Sequence, residues 1–511
     1  MKFIVLIGLA LTLAAFIRFA LFSGLQVRRM RWRTRLRMKP GPGFASHAEI
    51  WVRWSRWAAV YSGRRARPDM GFWVRMFSPA TRYAVRLGRA QLWRRIWARG
   101  EDQVGVIAPQ RTGKTGVLAD RVYSHPGAAV SITTRADVHN LTAGKRAQLG
   151  PVEVFNPEGI GGVESTFRPD IISDCVAPHI ALRTAAALIG PTGDQGDMEF
   201  WLGKARVALA ALLHAAAILG EDVDAVWRWA NRVGDSQVRE AATRRGASVD
   251  LLAAAIEIQR EGKSADSIRM TLCRSLGWVA VPSLRNMVSG PGLRYFDAGA
   301  WALNRGTVYF ITSGEESEAA PLFRAVIEKL YRDVVYAGSL TRYGKLALPV
   351  LFALDELTQT CAVPVDQWLA TAAGSGIQIM YVVHSPSQLQ ARYGQAVANA
   401  IWALSSVKVI LPGNSDAEMA EQISALCGSY GNETSERIVP VAYIRQLPEL
   451  RALVVAMNRA PITVKVRPIW RRVSYRLGMM PKPPRALPWL PEVLEVEYEP
   501  GAAPEPGEQA A

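Results

Sequence analysis

Cysteine is scarce in this chain. Four residues, Cys175, Cys273, Cys361 and Cys427, are scattered through 511 positions with no C-x-x-C pair. That argues against a disulfide framework or a zinc site and fits a reducing compartment. No internal repeat is visible. Acidic residues are nearly missing from one stretch. Of the chain's 61 Lys and Arg and 44 Asp and Glu, 19 and two fall between residues 28 and 99, leaving 42 and 42 elsewhere. The two acids are Glu49 and Asp69. The net charge of +17 is therefore local, and it offers no argument that the rest of the chain grips nucleic acid.

Long apolar runs without charge are also few, and the first one matters. Phe3 to Leu25 is nearly all apolar, close to the ~20 residues that cross a bilayer. Arg18 is the flaw, since a central Arg would cost on the order of 2.5–3.5 kcal/mol. Near the end of the run it can snorkel to the interface. A signal peptide is the alternative reading. However, Arg28, Arg29, Arg31, Arg33, Arg35, Arg37 and Lys39 follow the run while Lys2 alone precedes it. The positive-inside rule then expects a retained anchor at the cell membrane, with the chain beyond it cytoplasmic.

Residues 28–99 mix these arginines with Trp32, Trp51, Trp54, Trp57, Trp73, Trp93 and Trp97. From Ile50 to Tyr61, helical spacing puts Ile50, Trp54, Trp57 and Tyr61 on one face and Arg53 and Arg56 on another. Such a helix can lie on an anionic membrane or pack its Trp face on the body of the protein. Both readings stay open.

The chemistry concentrates in Val104 to Thr115, V-G-V-I-A-P-Q-R-T-G-K-T. An apolar strand, a Pro/Gly turn and a helix opening at Gly113-Lys114-Thr115 are the parts of a P-loop. Ala108, Pro109, Gln110, Arg111, Thr112 and Gly113 would form the anion cradle with their backbone N–H groups. Lys114 would reach the β/γ-phosphates, and the Thr115 hydroxyl would ligate Mg²⁺. Ala108 stands where the first Gly of G-x-x-x-x-G-K-[ST] is usual; as the smallest residue with a Cβ it keeps the turn feasible. The expected cofactors are ATP and Mg²⁺.

A P-loop ATPase needs a carboxylate on a neighbouring strand. Leu348 to Glu356, L-P-V-L-F-A-L-D-E, ends an apolar run in an acidic pair. Such a run suits a central parallel strand, whose carboxyl end is where ligands of α/β sheets bind. Asp355 would hold Mg²⁺ and Glu356 would orient or deprotonate the attacking water. Glu315-Glu316, in polar surroundings, reads as an ordinary solvated pair. After one more helix, Ile377 to Val383 is a strand ending at His384, the position from which a side chain can sense the γ-phosphate.

Strands and helices alternate from Asp102: Gly127–Thr134 and Pro151–Asn156 read as strands around a helix near Arg135 to Gly150. Between about Asp194 and Gly290 the pattern is helical, beginning with an Ala/Leu run from Phe200 to Gly220. Strands resume at Thr307–Thr312, Leu348–Leu354, Ile377–Val383, Ser406–Leu411 and Ala452–Met457. The expected fold is α/β: a RecA-like doubly wound P-loop ATPase domain with an inserted all-α domain, preceded by an N-terminal transmembrane helix. The expected divisions are an anchor to residue 27, a basic segment 28–100, an ATPase domain in two pieces (101–190 and 295–475), the insertion 191–294, and a Pro-rich acidic disordered tail 476–511.

Together the motifs resemble the coupling-protein ATPases of type IV secretion and conjugation, the TraG/TraD kind. The features held in common run over residues 100–470. They are the P-loop, L-D-E, S-x-S-Q-L followed by Y-G at Ser385–Gly394, N-S-D-A-E-M-A-E at Asn414–Glu421, Gly428, V-F-N-P at Val154–Pro157, and Phe200-Trp201. The resemblance implies a homo-hexamer at the inner membrane that receives a relaxase–DNA complex through the all-α domain. It also implies that single-stranded DNA or protein is driven toward the secretion channel. Four departures stand out. His384 replaces the family's usual Gln, T-T-R-A-D at Thr133–Asp137 replaces Asp-x-Lys, one membrane run is read where most members carry two, and Ala372–Gly376 carries no base where a trans-acting arginine is sought. Competing readings are a double-strand DNA pump of the FtsK/HerA type and a nucleotide-switched receptor that recruits substrates without pumping.

Overall fold

The computed structural model describes residues 41–481, apart from 91–93, 192–195, 232–235, 255–261, 290–293, 361, 414–415 and 431–435. The expected transmembrane run and most of the acidic tail lie outside the described residues.

Fifteen strands are described: β1 (Ala84–Arg89), β2 (Arg95–Arg99), β3 (Val104–Ile107), β4 (Ala129–Thr133), β5 (Val152–Phe155), β6 (Phe167–Arg168), β7 (Arg294–Tyr295), β8 (Thr307–Ile311), β9 (Val350–Leu354), β10 (Ile377–Val383), β11 (Val407–Ile410), β12 (Ser429–Tyr430), β13 (Glu436–Arg437), β14 (Arg451–Ala456) and β15 (Arg459–Lys465). Eleven form one sheet in the order β2-β1-β15-β14-β11-β3-β10-β9-β4-β8-β5. The seven from β11 to β5 are all parallel, while β14, β15, β1 and β2 extend the sheet antiparallel.

The apolar runs behave as a doubly covered sheet demands. In β10, Ile377, Ile379, Tyr381 and Val383 enter the core on one face, and Met380 and Val382 enter the core on the other. In β9, Val350, Phe352 and Leu354 alternate in the same way with Leu351 and Ala353. Each buried Val, Leu or Ile contributes roughly 1.5–3 kcal/mol. Shifting a strand by one residue would exchange its two faces, and so the packing fixes the register.

The chain leaves the large sheet after β5 and returns to it at β8; between them β6 and β7 pair in parallel as a separate two-stranded sheet. Described residues between them form helices, among them Pro178–Ile189 and Gly196–Leu219. The second of these is long and apolar enough to cross a membrane by length and composition. Its Ala205, Ala208, Leu209 and Leu213 are instead fully covered within the core.

A sequence boundary at residue 100 cuts through the sheet. The hairpin β1–β2 belongs to it, with Arg89 opposite Lys465 of β15. Arginines at the less buried positions of these strands obscure the period-2 apolar signal in the sequence. Upstream, the chain is tied to β15 by Glu49, which accepts from the Ala460 N–H at 3.0 Å. Trp54, fully buried, lies beneath the Arg459 guanidinium at 4.4 Å. The aromatic face read from sequence is thus divided: Ile50 and Trp54 pack inward, whereas Trp57 and Tyr61 are exposed, as are Trp51, Trp73 and Phe77.

Candidate functional site

The candidate site opens at the carboxyl ends of β3, β10 and β9. β3 is buried at every residue, and Ala108 continues it by donating its N–H to the Val383 carbonyl at 2.9 Å. The chain then turns through Pro109 to Gly113, with the Thr112 hydroxyl donating to the Pro109 carbonyl at 2.7 Å. Gly113 adopts φ 86° at the N-cap of the helix Lys114–Ser124, a region where a Cβ would be strained. Arg111 is also left-handed, at φ 63°, without being glycine. The loop Ala108–Gly113 therefore leads directly into a helix N-terminus whose first N–H groups lack intrahelical partners.

Five side chains predicted from sequence converge here. Lys114 donates to Glu356 and lies 3.2 Å from His384 Nε2. His384 Nδ1 is 3.0 Å from the Ala108 carbonyl. A carbonyl can only accept, and so Nδ1 carries the proton and Nε2 accepts from Lys114. Glu356 lies 3.7 Å from the same Nε2. On the adjoining side the Thr115 hydroxyl donates to Asp355 Oδ2 at 3.2 Å. The helix Lys114–Ser124 supplies Lys114 and Thr115, β9 leads into the acidic pair, and β10 leads into His384.

Asp355 is the electrostatically unusual group. It is 7 % exposed, and its Oδ1 is buried with no hydrogen-bond partner. Burial pushes its pKa from 3.8 up to about 6, against the pull of Lys114 and with a contribution from the neighbouring Glu356. A buried, half-satisfied carboxylate beside a threonine hydroxyl has the donor chemistry of a hydrated Mg²⁺ site. Glu356 has φ 50°, a conformation that costs a non-glycine residue energy and recurs at functional sites. It swings the carboxylate toward Lys114. The Ala108–Gly113 loop, Lys114, the carboxylate pair and His384 meet in one place, and these residues fit a magnesium-bound polyphosphate.

Several structural neighbours of the site are not legible in the sequence. Glu315 is not solvated: it lies 2.5 Å from Arg392, pairs with Arg324, and accepts from the Ala362 N–H at 3.0 Å. Its neighbour Glu316 is exposed. Gln388 of the S-x-S-Q-L stretch accepts from Thr358 at 3.5 Å, joining the helix after His384 to the one after Glu356. In V-F-N-P, Asn156 binds the backbone of Ile160 and Val163 and so shapes the loop after β5. Glu158 just beyond accepts from the Ser313 N–H and from both the Ser313 and Ser317 hydroxyls. The segment after β15 reaches the P-loop helix, where Arg472 donates to Asp120 at 2.6 Å. Nothing in the local sequence signals that contact.

Comparison with known proteins gives a consistent picture. Residues 349–439 match the family model described as the TraM recognition site of TraD and TraG. No curated protein sequence matches significantly. Among solved structures, an unbound form of the bacterial conjugative coupling protein TrwB matches with TM-score 0.59 and 20% identity, covering 76% of this chain and 89% of that one. TrwB in complex with the ATP analogue ADPNP matches with TM-score 0.58 and 19% identity, over 76% and 90%. TrwB with ADP and Mg²⁺ gives TM-score 0.57 and 20% identity, over 75% and 89%. The resemblance to conjugative coupling proteins read from the motifs thus holds in a family segment and in the fold.

Proposed function

We propose that this chain is a membrane-anchored coupling ATPase of conjugation or type IV secretion, using Mg·ATP hydrolysis to recruit and translocate single-stranded DNA or protein into the channel. The observation that carries the reading is the meeting of Lys114, Glu356 and His384 at the mouth of the Ala108–Gly113 loop. Beside it stands Asp355, whose Oδ2 accepts from Thr115 and whose Oδ1 is bare. The surrounding fold, which TrwB shares while bound to nucleotides, and the match to a TraM recognition site support the conjugative setting.

Bound Mg²⁺ would neutralise phosphate charge, held by Thr115 and, through its water shell, by Asp355. Lys114 is engaged by Glu356 in the resting site and is the cation suited to the β/γ-phosphates. Transfer of Lys114 to phosphate frees the Glu356 carboxylate to take a proton from the attacking water. His384, with its proton fixed on Nδ1, keeps an acceptor toward Lys114 and stands where loss of the γ-phosphate changes its partner.

The membrane reading rests on the apolar run Phe3–Leu25, its basic flank, and the exposed rings of Trp51, Trp57, Tyr61, Trp73 and Phe77. All of these rings but Trp51, which lies in the preceding turn Ile50–Trp54, share two packed helices, Arg56–Ala66 and Phe72–Phe77, with exposed Arg56, Arg64 and Arg65. Both acids of the segment are engaged, Glu49 near Arg53 and Asp69 with Arg67. The surface is therefore basic and aromatic, suited to an anionic interface. Assembly as a hexamer with a relaxase partner follows from the resemblance.

The test is turnover by the full-length protein in detergent, with and without single-stranded DNA. DNA-stimulated hydrolysis lost in Glu356→Gln supports the motor. Nucleotide binding without turnover would leave a nucleotide-switched receptor in its place.

A further inference from the structure

We infer that Trp470 is the stacking platform for the base of the nucleotide held at the P-loop. The inference rests on the nucleotide reading above, and topology carries it. β15 is antiparallel to β14, which is antiparallel to β11, and so β15 runs the same way as β11 and β3. Its carboxyl end, Lys465, therefore opens at the P-loop edge of the sheet. It does so on the β11 side of β3, away from Asp355 and Glu356 at the end of β9.

The next residues are mounted rigidly. Val466 and Ile469 are buried, and a short turn is closed by Arg471 N–H to Pro468 O and Arg472 N–H to Ile469 O, both at 2.9 Å. Arg472 binds Asp120 and covers the Tyr123 ring at 4.2 Å, while Arg467 Nε lies 3.4 Å from Asp120. Gly116, Asp120 and Tyr123 share one face of the P-loop helix. The segment thus runs along that face, and the indole of Trp470 covers Gly116. A Cβ on Gly116 would collide with the ring, and one on Gly113 would come within 3.1 Å of it. A glycine inside a helix is otherwise unfavourable; here its bare backbone seats the indole.

The direction of a bound polyphosphate decides what this ring can do. Lys114, the reader of the β/γ end, turns toward Glu356 and His384 on the β10 and β9 side. The α-phosphate, ribose and base must leave the loop on the other side, where Trp470 stands 36 % exposed beside Gly113. A fixed indole with open area next to a phosphate cradle offers a π-face to a purine. Stacking of this kind is tolerant of base identity, which predicts little discrimination between adenine and guanine.

The experiment measures calorimetric affinity of the full-length protein for Mg·ATP and for magnesium tripolyphosphate, which has phosphates and no base. Trp470→Ala should weaken ATP about tenfold, the size of one base–aromatic stack, and leave tripolyphosphate nearly unchanged. Trp470→Phe, which keeps a ring, should retain most of the ATP affinity. Lys114→Ala should lose both ligands. Equal loss of both ligands in Trp470→Ala, or no loss of ATP, would overturn the platform and leave a packing residue. ATP binding that ignores Lys114 would overturn the nucleotide reading itself, and this inference with it.

Discussion

Two acidic pairs follow buried strands of the same sheet, and their environments differ. Glu315, after β8, is paired at both oxygens: Arg324 and Arg392 approach one and the Ala362 N–H reaches the other. Asp355 and Glu356, after β9, are left short of partners. Asp355 keeps a bare buried oxygen, and Glu356 holds Lys114 from a left-handed backbone. A carboxylate engaged at both oxygens braces the fold. One that is buried and incompletely paired retains capacity for a metal, a water or a proton.

The largest expected effect breaks the comparison most directly. Glu356→Gln should reduce turnover by about 10²–10⁴-fold, the range of a lost general base, with ATP affinity nearly kept. Normal turnover in that variant would remove the β9 pair from the chemistry. Glu315→Gln should do the reverse, destabilising the fold by about 2–4 kcal/mol in denaturant titration because two arginines lose their charge partner. ATP affinity of the folded fraction should be unchanged; a selective loss of binding would make the β8 pair part of the site.

Asp355 yields a subtler contrast. Its folded pKa, about 6, lies above the ordinary 3.8, and so the folded state holds the proton more tightly. The resulting stabilisation is complete below pH 3.8 and is lost as pH rises to about 6. At pH 7 the ionised group costs the nucleotide-free fold on the order of 2–3 kcal/mol. Asp355→Asn should therefore raise the Tm of the nucleotide-free protein at pH 7 while weakening Mg²⁺-dependent ATP binding. An unchanged or lowered Tm would show that the carboxylate is not strained by burial. In the wild type, Mg·ATP binding should fall as pH drops through about 6.

His384→Ala should have a smaller effect, a few-fold loss in DNA-stimulated turnover with ATP still bound, since Lys114 keeps Glu356 as partner. Equal loss of basal and stimulated rates would assign the ring to Lys114 positioning alone. Smallest of all, replacing Trp57 and Tyr61 by Ser should weaken binding of the full-length protein to anionic liposomes only modestly, roughly 1–2 kcal/mol in partitioning. Turnover in detergent should not respond.

The strands that build the site were readable because each is buried on both faces and so is written in apolar residues, broken only by the buried Gln378 of β10. Ile377–Val383 was located to the residue, and the observed β9, Val350–Leu354, lies within the expected run. The P-loop, the acidic pair and His384 were readable as strand ends followed by polar residues. β1, β2 and β15 were not, because Arg and Lys at their less buried positions break up the apolar pattern. Glu315 was misjudged because local polarity cannot reveal an arginine that arrives from another helix.

The sequence by itself determined the chemistry of the cradle: a strand, a loop of small residues, Lys114, Thr115, and an acidic pair ending a second strand. Those signals are local, since strand burial, turn geometry and helix start are each decided within about ten residues. Tertiary structure alone decided which groups remain unpaired and which are engaged. It left Asp355 Oδ1 bare, gave Lys114 to Glu356, set the tautomer of His384, and laid Trp470 on Gly116, 354 positions away in the chain. Pairing of this kind depends on where the sheet order brings distant strand ends, and no window of sequence contains that distance.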